Sequence, residues 1–371
     1  MAATASGPYA EALLPLAADG LPAFPPDRLS GRPLQWLGTA IDAALVRAMR
    51  IVVERLVMTD ATQADLLRRS AEPFLAGELR DDPSRFLAFD RLPALPDSSP
   101  SVVRRRLAGG TAFARRLVLS DLPEDPILLD HWVHDRGRPP ATVLAIHGFT
   151  MGWPRFDSFA LLAAEWFRLG LDVALITLPF HGARTPADAR FSGDRFARPD
   201  VAGLNAAAAR ALHEILVAVR WLRRETGAPV GLLGLSLGGY LAATAASLDS
   251  ELAFVVPIVP PACFGDLAWR FFPATRSSRE AALTALTYEE LRIAYRVHSP
   301  LTYQPRIARE RLMIVAGRGD RIVPPEHPFA LWRHWGEPAI HWFQGSHLAP
   351  FGRPGITAAV RTHLARIGVL S

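Results

Sequence analysis

The sequence holds a single cysteine, Cys263, and no lysine at all. One thiol excludes an intrachain disulfide and any cysteine-built metal cluster, and it fits a reducing compartment. With lysine absent, all 41 basic residues are arginine, which points to the base composition of the coding sequence rather than to a binding function. The formal net charge is only +5 and is spread along the chain. Its densest basic run, Arg104 to Arg106, sits among apolar residues in a strand-like stretch. That pattern favours a solvated, ion-paired surface over a nucleic-acid groove. No uninterrupted apolar run approaches the roughly 18 residues of a membrane span. Met1 to Gly20 lacks the basic and then apolar regions of a signal peptide. The expectation is a cytoplasmic protein with no membrane span and no nucleic-acid partner.

What is present is a large apolar complement. Half of the 371 residues are hydrophobic and 21% are charged, enough to bury a substantial core in one large domain with an appendage. Residues 1–100 read as an N-terminal arm followed by a helical extension. The first thirty residues are rich in Ala, Pro and Gly. A helix is predicted over about 33–58, with Leu37, Ile41, Ala44, Leu45, Ala48, Val52 and Leu56 on one face. Asp42, Arg47, Arg50 and Glu54 take the other positions. Both signs of charge on the polar face favour packing on the main domain, or on a second copy as a homodimer, over a membrane surface. A second helix is predicted from Asp60, which forms a capping box with Gln63. Pro93, Pro96 and Pro100 mark a linker.

Residues 101–371 change pattern. Val102–Leu107, Ala114–Leu119 and Ile127–His134 read as antiparallel strands. Short apolar strands then alternate with helices. The strands are Thr142–Ile146, Asp172–Thr177, Val230–Leu235, Phe254–Ile258, Leu312–Ala316 and Ile340–Phe343. The helices lie at Ser158–Leu169, Val201–Thr226, Leu237–Leu248, Pro325–Trp335 and Gly355–Ile367. This alternation calls for an α/β fold, a mostly parallel sheet covered by helices on both faces. Residues 263–303 are too long for an ordinary connection and read as an inserted helical cap.

The chemistry centres on Gly234-Leu-Ser236-Leu-Gly238, between an apolar strand and an Ala-rich helix. A serine on a sharp strand-to-helix turn exposes its Oγ, and flanking glycines avoid the collisions that side chains would cause. The same turn aims the Leu237 N–H at a developing oxyanion. A serine needs a base, and eleven histidines are available. His347 follows the strand Ile340–Phe343, and Asp320 follows Leu312–Ala316 in a Gly-rich loop. One helix separates the two strands, so both loops open on the sheet edge that carries Ser236. Glu326, inside the next helix, is the fallback acid, and His341 alternates within a strand as a packing or surface residue. Strand Thr142–Ile146 ends in His147-Gly148-Phe149-Thr150. The Phe149 N–H is the natural second oxyanion donor, with Thr150 as the alternative, and His147 reads as a backbone-bonding loop residue. Trp153, Phe180, Trp269, Phe271 and Phe272 are candidates to line an apolar substrate pocket.

Taken together, these motifs resemble the serine α/β-hydrolase superfamily over Val102 to Ile367, with Leu178-Pro-Phe-His-Gly182 as a further recurrent loop. The resemblance implies the α/β-hydrolase fold with an eight-stranded sheet, and a cofactor-free and metal-free acyl-transfer mechanism. It implies a Ser236–His347–Asp320 triad acting on a small-molecule carboxylic ester. Serine at the elbow argues against the haloalkane dehalogenase and epoxide hydrolase branches, which attack with a carboxylate. An acyltransferase, a peptidase or amidase, and a non-catalytic ligand-binding protein remain open at this stage.

Overall fold

A computed structural model describes residues 37–44, 47, 61–87, 112–119, 126–135, 137–197, 200–271, 285–349 and 353–371. Its frame is one eight-stranded sheet in the order β1-β2-β4-β3-β5-β6-β7-β8. The strands are β1 (Ala112–Leu119), β2 (Ile127–His134), β3 (Thr142–Ile146), β4 (Asp172–Thr177), β5 (Val230–Leu235), β6 (Val255–Ile258), β7 (Met313–Gly317) and β8 (Ala339–Phe343). β1 pairs antiparallel with β2, and β2 antiparallel with β4. All other pairings are parallel. The central strands β3 and β4 are buried at every position, as expected of strands covered on both faces. The predicted strand Val102–Leu107 lies outside the described residues.

Two apolar cores flank the sheet. One face is covered by α4 (Val201–Thr226), α5 (Leu237–Ala245) and α8 (Glu326–His334), through residues such as Leu212, Trp221, Tyr240 and Leu331. The other is covered by α2 (Pro154–Ala160), α3 (Ala163–Arg168) and α9 (Arg353–Arg366), with Leu161, Trp166, Ile356 and Leu364 in its core. Helix α4 starts sharply because the Asp200 side chain accepts the Gly203 N–H, and it stops at Gly227 in the left-handed region. It is long and apolar enough to cross a bilayer, but its most apolar window is 67% buried inside the protein, as befits a core helix. The single helix predicted over Ser158–Leu169 is instead the pair α2 and α3. Leu162, at φ 58°, breaks it, and the re-aimed chain buries both Leu161 and Trp166.

A third core lies over one end of α4. There α1 (Ala61–Leu75) contributes Leu67, Ala71 and Phe74. They meet Val201, Leu204 and the residues Leu291, Ala294 and Tyr295 of α7 (Tyr288–Tyr295). Helix α7 opens with a Thr287–Glu290 capping box, and Glu290 also pairs with Arg68 of α1 at 2.5 Å. Helix α1 therefore packs on the 263–303 insertion, whose other described helix is α6 (Phe264–Phe271). The insertion is anchored beneath by a buried polar chain. The Tyr240 hydroxyl meets His298 Nδ1 at 2.6 Å, His298 Nε2 meets Asn205 Oδ1 at 2.9 Å, and Asn205 Nδ2 donates to Ala294 O at 2.9 Å.

Candidate active site

Ser236 stands between β5 and α5 at φ 54° and ψ −113°, a strained conformation for a residue with a side chain. The strain is held by close packing of the turn. A Cβ on Gly234 would come 2.1 Å from Gly238 O, and one on Gly238 would come 2.1 Å from Ile146 O. Neither position can carry a side chain. The Ser236 N–H is tied to Ile258 O at 2.9 Å.

The three residues singled out from the sequence converge. His347 Nε2 lies 2.9 Å from Ser236 Oγ, and His347 Nδ1 lies 2.7 Å from Asp320 Oδ2. Asp320 is buried, and its other oxygen accepts the Ile322 and Val323 N–H groups at 3.0 and 2.7 Å. A carboxylate so held is an acceptor only, so Nδ1 carries the proton and Nε2 is left to accept from the serine hydroxyl. Burial opposes charge on the His347 ring. The Asp320 carboxylate, with Asp42 behind it, outweighs burial and raises the imidazole above its ordinary value. Burial pushes the Asp320 carboxyl up, against the pull of His347. Glu326 makes no part of this chain of bonds.

The segments that carry the two expected oxyanion donors adjoin the serine. Leu237 is the first residue of α5, where N–H groups have no acceptor within the helix. The turn carrying Phe149 lies against the elbow, since a Cβ on Gly148 would be 3.5 Å from Ser236 Cβ. His147 holds that turn. Its Nε2 accepts the Leu178 N–H at 3.0 Å, so its Nδ1–H donates to Gly148 O at 2.8 Å. Burial drives its pKa down to about 3, so it is a neutral scaffold residue. His181, from the Leu178–Gly182 loop, is buried beside it and lowered to about 4.

The aromatic candidates divide. Trp153 is 54% exposed on the loop after the Phe149 turn. Phe180 packs on the main core with the Arg210 guanidinium 5.8 Å from its ring. Trp269 packs on the third core beside Tyr288. Phe271 ends α6, with its side chain outside the described set, and Phe272 is not among the described residues. Among the described residues, no group of three or more His, Cys, Asp or Glu is arranged to hold a metal ion.

One site residue was missed from sequence. The helical pattern puts Asp42 among the polar, outward positions, yet it is fully buried, while Leu37 and Ile41 are 52% and 39% exposed. The segment 37–44 is turned the opposite way from its amphipathic pattern. The reason is hydrogen bonding: three loop N–H groups on the sheet edge need an acceptor, and the Asp42 carboxylate supplies it. A signal was present only as a short acidic side chain beside Gly38 and Thr39, which periodicity does not weigh.

Comparison with known proteins agrees with this fold. Residues 127–264 match the family described as "Alpha/beta hydrolase domain containing 18". The chain has the α/β-hydrolase fold. The chain is 33% identical over 243 residues to two uncharacterized proteins of Mycobacterium tuberculosis, Rv2627c and MT2702. That match covers 64% of this chain and 56% of each relative, so the chain spans a little over half the length of these relatives. Among solved structures it is similar to an acetyl xylan esterase from Paenibacillus sp. R4, with TM-score 0.57 and 16% identity over 77% of this chain and 93% of that one. It is also similar to acetyl xylan esterase 1 from Thermoanaerobacterium sp. JW/SL YS485, with TM-score 0.55 and 15% identity over 84% and 100%. At such identities the likeness is one of fold.

Proposed function

We propose that this α/β-hydrolase is a serine esterase that cleaves a carboxylic ester of a hydrophobic or medium-sized substrate through Ser236, His347 and Asp320. The observation that carries the reading is the unbroken relay from Ser236 Oγ through both ring nitrogens of His347 to Asp320, at 2.9 and 2.7 Å. In this scheme Nε2 takes the serine proton as Oγ attacks the ester carbonyl, and the Leu237 and Phe149 N–H groups receive the oxyanion. His347 then protonates the leaving alcohol as the acyl-enzyme forms. Water, deprotonated by the same nitrogen, attacks the acyl carbonyl and releases the acid and the free serine. Asp320 keeps the productive tautomer and balances the imidazolium charge.

The choice of an ester is supported by the two acetyl xylan esterases of like fold. An apolar substrate is supported by the side chains on the rim. Trp153 and Leu348 are half exposed on the two loops beside Phe149 and His347, and Phe149 packs edge-on against the partly exposed Phe191. The decisive experiment is labelling with a fluorophosphonate probe, wild type against Ser236→Ala, alongside turnover of matched aryl esters and amides. Ser236-dependent label with faster ester turnover is expected. Folded wild type that takes no label would defeat the reading. Product analysis with and without an alcohol acceptor separates hydrolysis from acyl transfer.

A further inference from the structure

We infer that Asp42, in the N-terminal segment 37–44, is a positioning residue for the triad, clamping the Asp320 loop and the His347 loop against each other from outside the hydrolase core. The inference rests on the esterase reading above and adds a residue to its machinery.

The argument begins with the geometry of one carboxylate. Asp42 Oδ2 accepts the N–H of Arg321 at 3.1 Å and the N–H of His347 at 2.8 Å. Oδ1 accepts the N–H of Leu348 at 3.2 Å. Arg321 follows the triad acid directly, and His347 is the triad base itself. A single buried side chain therefore joins the backbones of the two loops that must hold Asp320 and His347 at 2.7 Å. The rest of the segment is shaped to the same purpose. Thr39 Oγ1 donates to Gly319 O at 3.2 Å, next to Asp320 on its other side. Gly38 lies against the histidine loop so closely that a Cβ there would be 3.1 Å from Ser346 N and 3.2 Å from Gly345 Cα.

A fully buried carboxylate is costly unless its lone pairs are satisfied, and three backbone N–H groups at 2.8 to 3.2 Å satisfy these. Leu37 and Ile41 remain exposed while Asp42 is inside, so apolar burial at those two positions does not account for the orientation of the segment. The carboxylate also acts on the base through space. Asp320 and Asp42 are the two charged groups that bear on the His347 ring, and both favour the imidazolium. Asp42 thus belongs with the groups that balance the charge formed when Ser236 is deprotonated.

The test compares wild type, Asp42→Asn and Gly38→Leu on a soluble aryl ester. The readouts are kcat, KM, the pH dependence of kcat/KM, and folding by circular dichroism and urea titration. Asp42→Asn removes the charge and sets an amide against at least one loop N–H. The expected result is a fall in kcat of about 10- to 100-fold, the scale of a small misplacement of reacting groups, with little change in KM. The acid limb of kcat/KM should move to lower pH. Gly38→Leu, which keeps Asp42 but pushes the segment off Ser346, should lower kcat in the same way. Folded Asp42→Asn with wild-type kcat and an unmoved acid limb overturns the proposal. So does a loss of kcat that tracks the unfolded fraction while the acid limb stays in place. If Asp42→Asn does not fold, Gly38→Leu decides alone: a loss of kcat in folded protein sustains the proposal and wild-type kcat overturns it. Wild-type labelling at Ser236 is scored first, so failure of the esterase reading is told apart from failure of the clamp.

Discussion

Arg184 and Glu214 form a buried, two-pronged ion pair. Nη1 meets Oε2 at 2.5 Å and Nη2 meets Oε1 at 2.8 Å, with only 2% and 6% of the two side chains exposed. Nη1 also donates to Thr177 O at the end of β4, so the pair ties the Leu178–Gly182 loop to α4. Glu214 Oε1 also accepts from Arg210 Nε at 3.0 Å, so losing Arg184 leaves the buried carboxylate with that one ion partner. Arg184→Leu is expected to lower stability by about 1–3 kcal/mol in urea denaturation. Arg184→Leu with Glu214→Leu should lose much less than the two single changes summed. Additive losses would show that the two side chains do not act as a pair.

Asp320→Asn keeps the shape of the acid and loses its charge. The amide is expected to leave folding nearly intact and to lower kcat by about three to four orders of magnitude, as when a triad imidazole is left in the wrong tautomer. Glu326 makes no bond to His347 and should not substitute for it. Near-normal turnover by a folded Asp320→Asn protein would remove Asp320 from the mechanism.

The direction of the His347 shift sets the pH dependence of activity. The base works only when neutral, and its carboxylate partners hold it protonated to higher pH than a free imidazole. kcat/KM should therefore rise with pH through a single ionisation lying above the ordinary value of 6.5. A pH–rate profile on an ester whose own hydrolysis is flat across the range reads this directly. An acid limb below that value would contradict the assigned partners.

Acid stability should follow the buried neutral histidines. His147 and His298 are lowered to about 3, and His181 to about 4, chiefly by burial. The unfolded chain takes up these protons near pH 6.5 and the folded chain does not. Stability is therefore complete above about pH 6.5 and falls as pH drops through the window from 6.5 to between 3 and 4. The slope is up to about 1.4 kcal/mol per pH unit for each histidine. Urea midpoints measured at successive pH values test this. His298→Gln should flatten the slope by one proton, and an unchanged slope would mean that His298 is not neutral in the fold.

Much of this architecture was legible in advance because it rests on patterns that local chemistry enforces. β3 and β5 are continuous apolar runs, and only a strand buried on both faces suits them. Gly234 and Gly238 announce the elbow because no other residue fits the contacts at either position. Asp320 and His347 were found from their place after strands, and the geometry joined them to Ser236 as expected. The break at Leu162 was not legible, since a left-handed leucine leaves no mark in hydrophobic spacing. Asp42 runs against its helical pattern for a related reason. Helical periodicity weighs water against oil, whereas the orientation of 37–44 goes with three backbone N–H groups more than 270 positions away.

That distance bears on how the protein comes into being. The partners of Asp42 lie 279, 305 and 306 residues further along the chain. During synthesis from the N-terminus, its carboxylate emerges long before any of the amides that will bind it. It must wait in water until β7 and β8 have joined the far side of the sheet. The Asp42 bonds can therefore close only once Arg321, His347 and Leu348 have been made. A half-made chain that ends after the elbow of Ser236 still lacks Asp320 and His347.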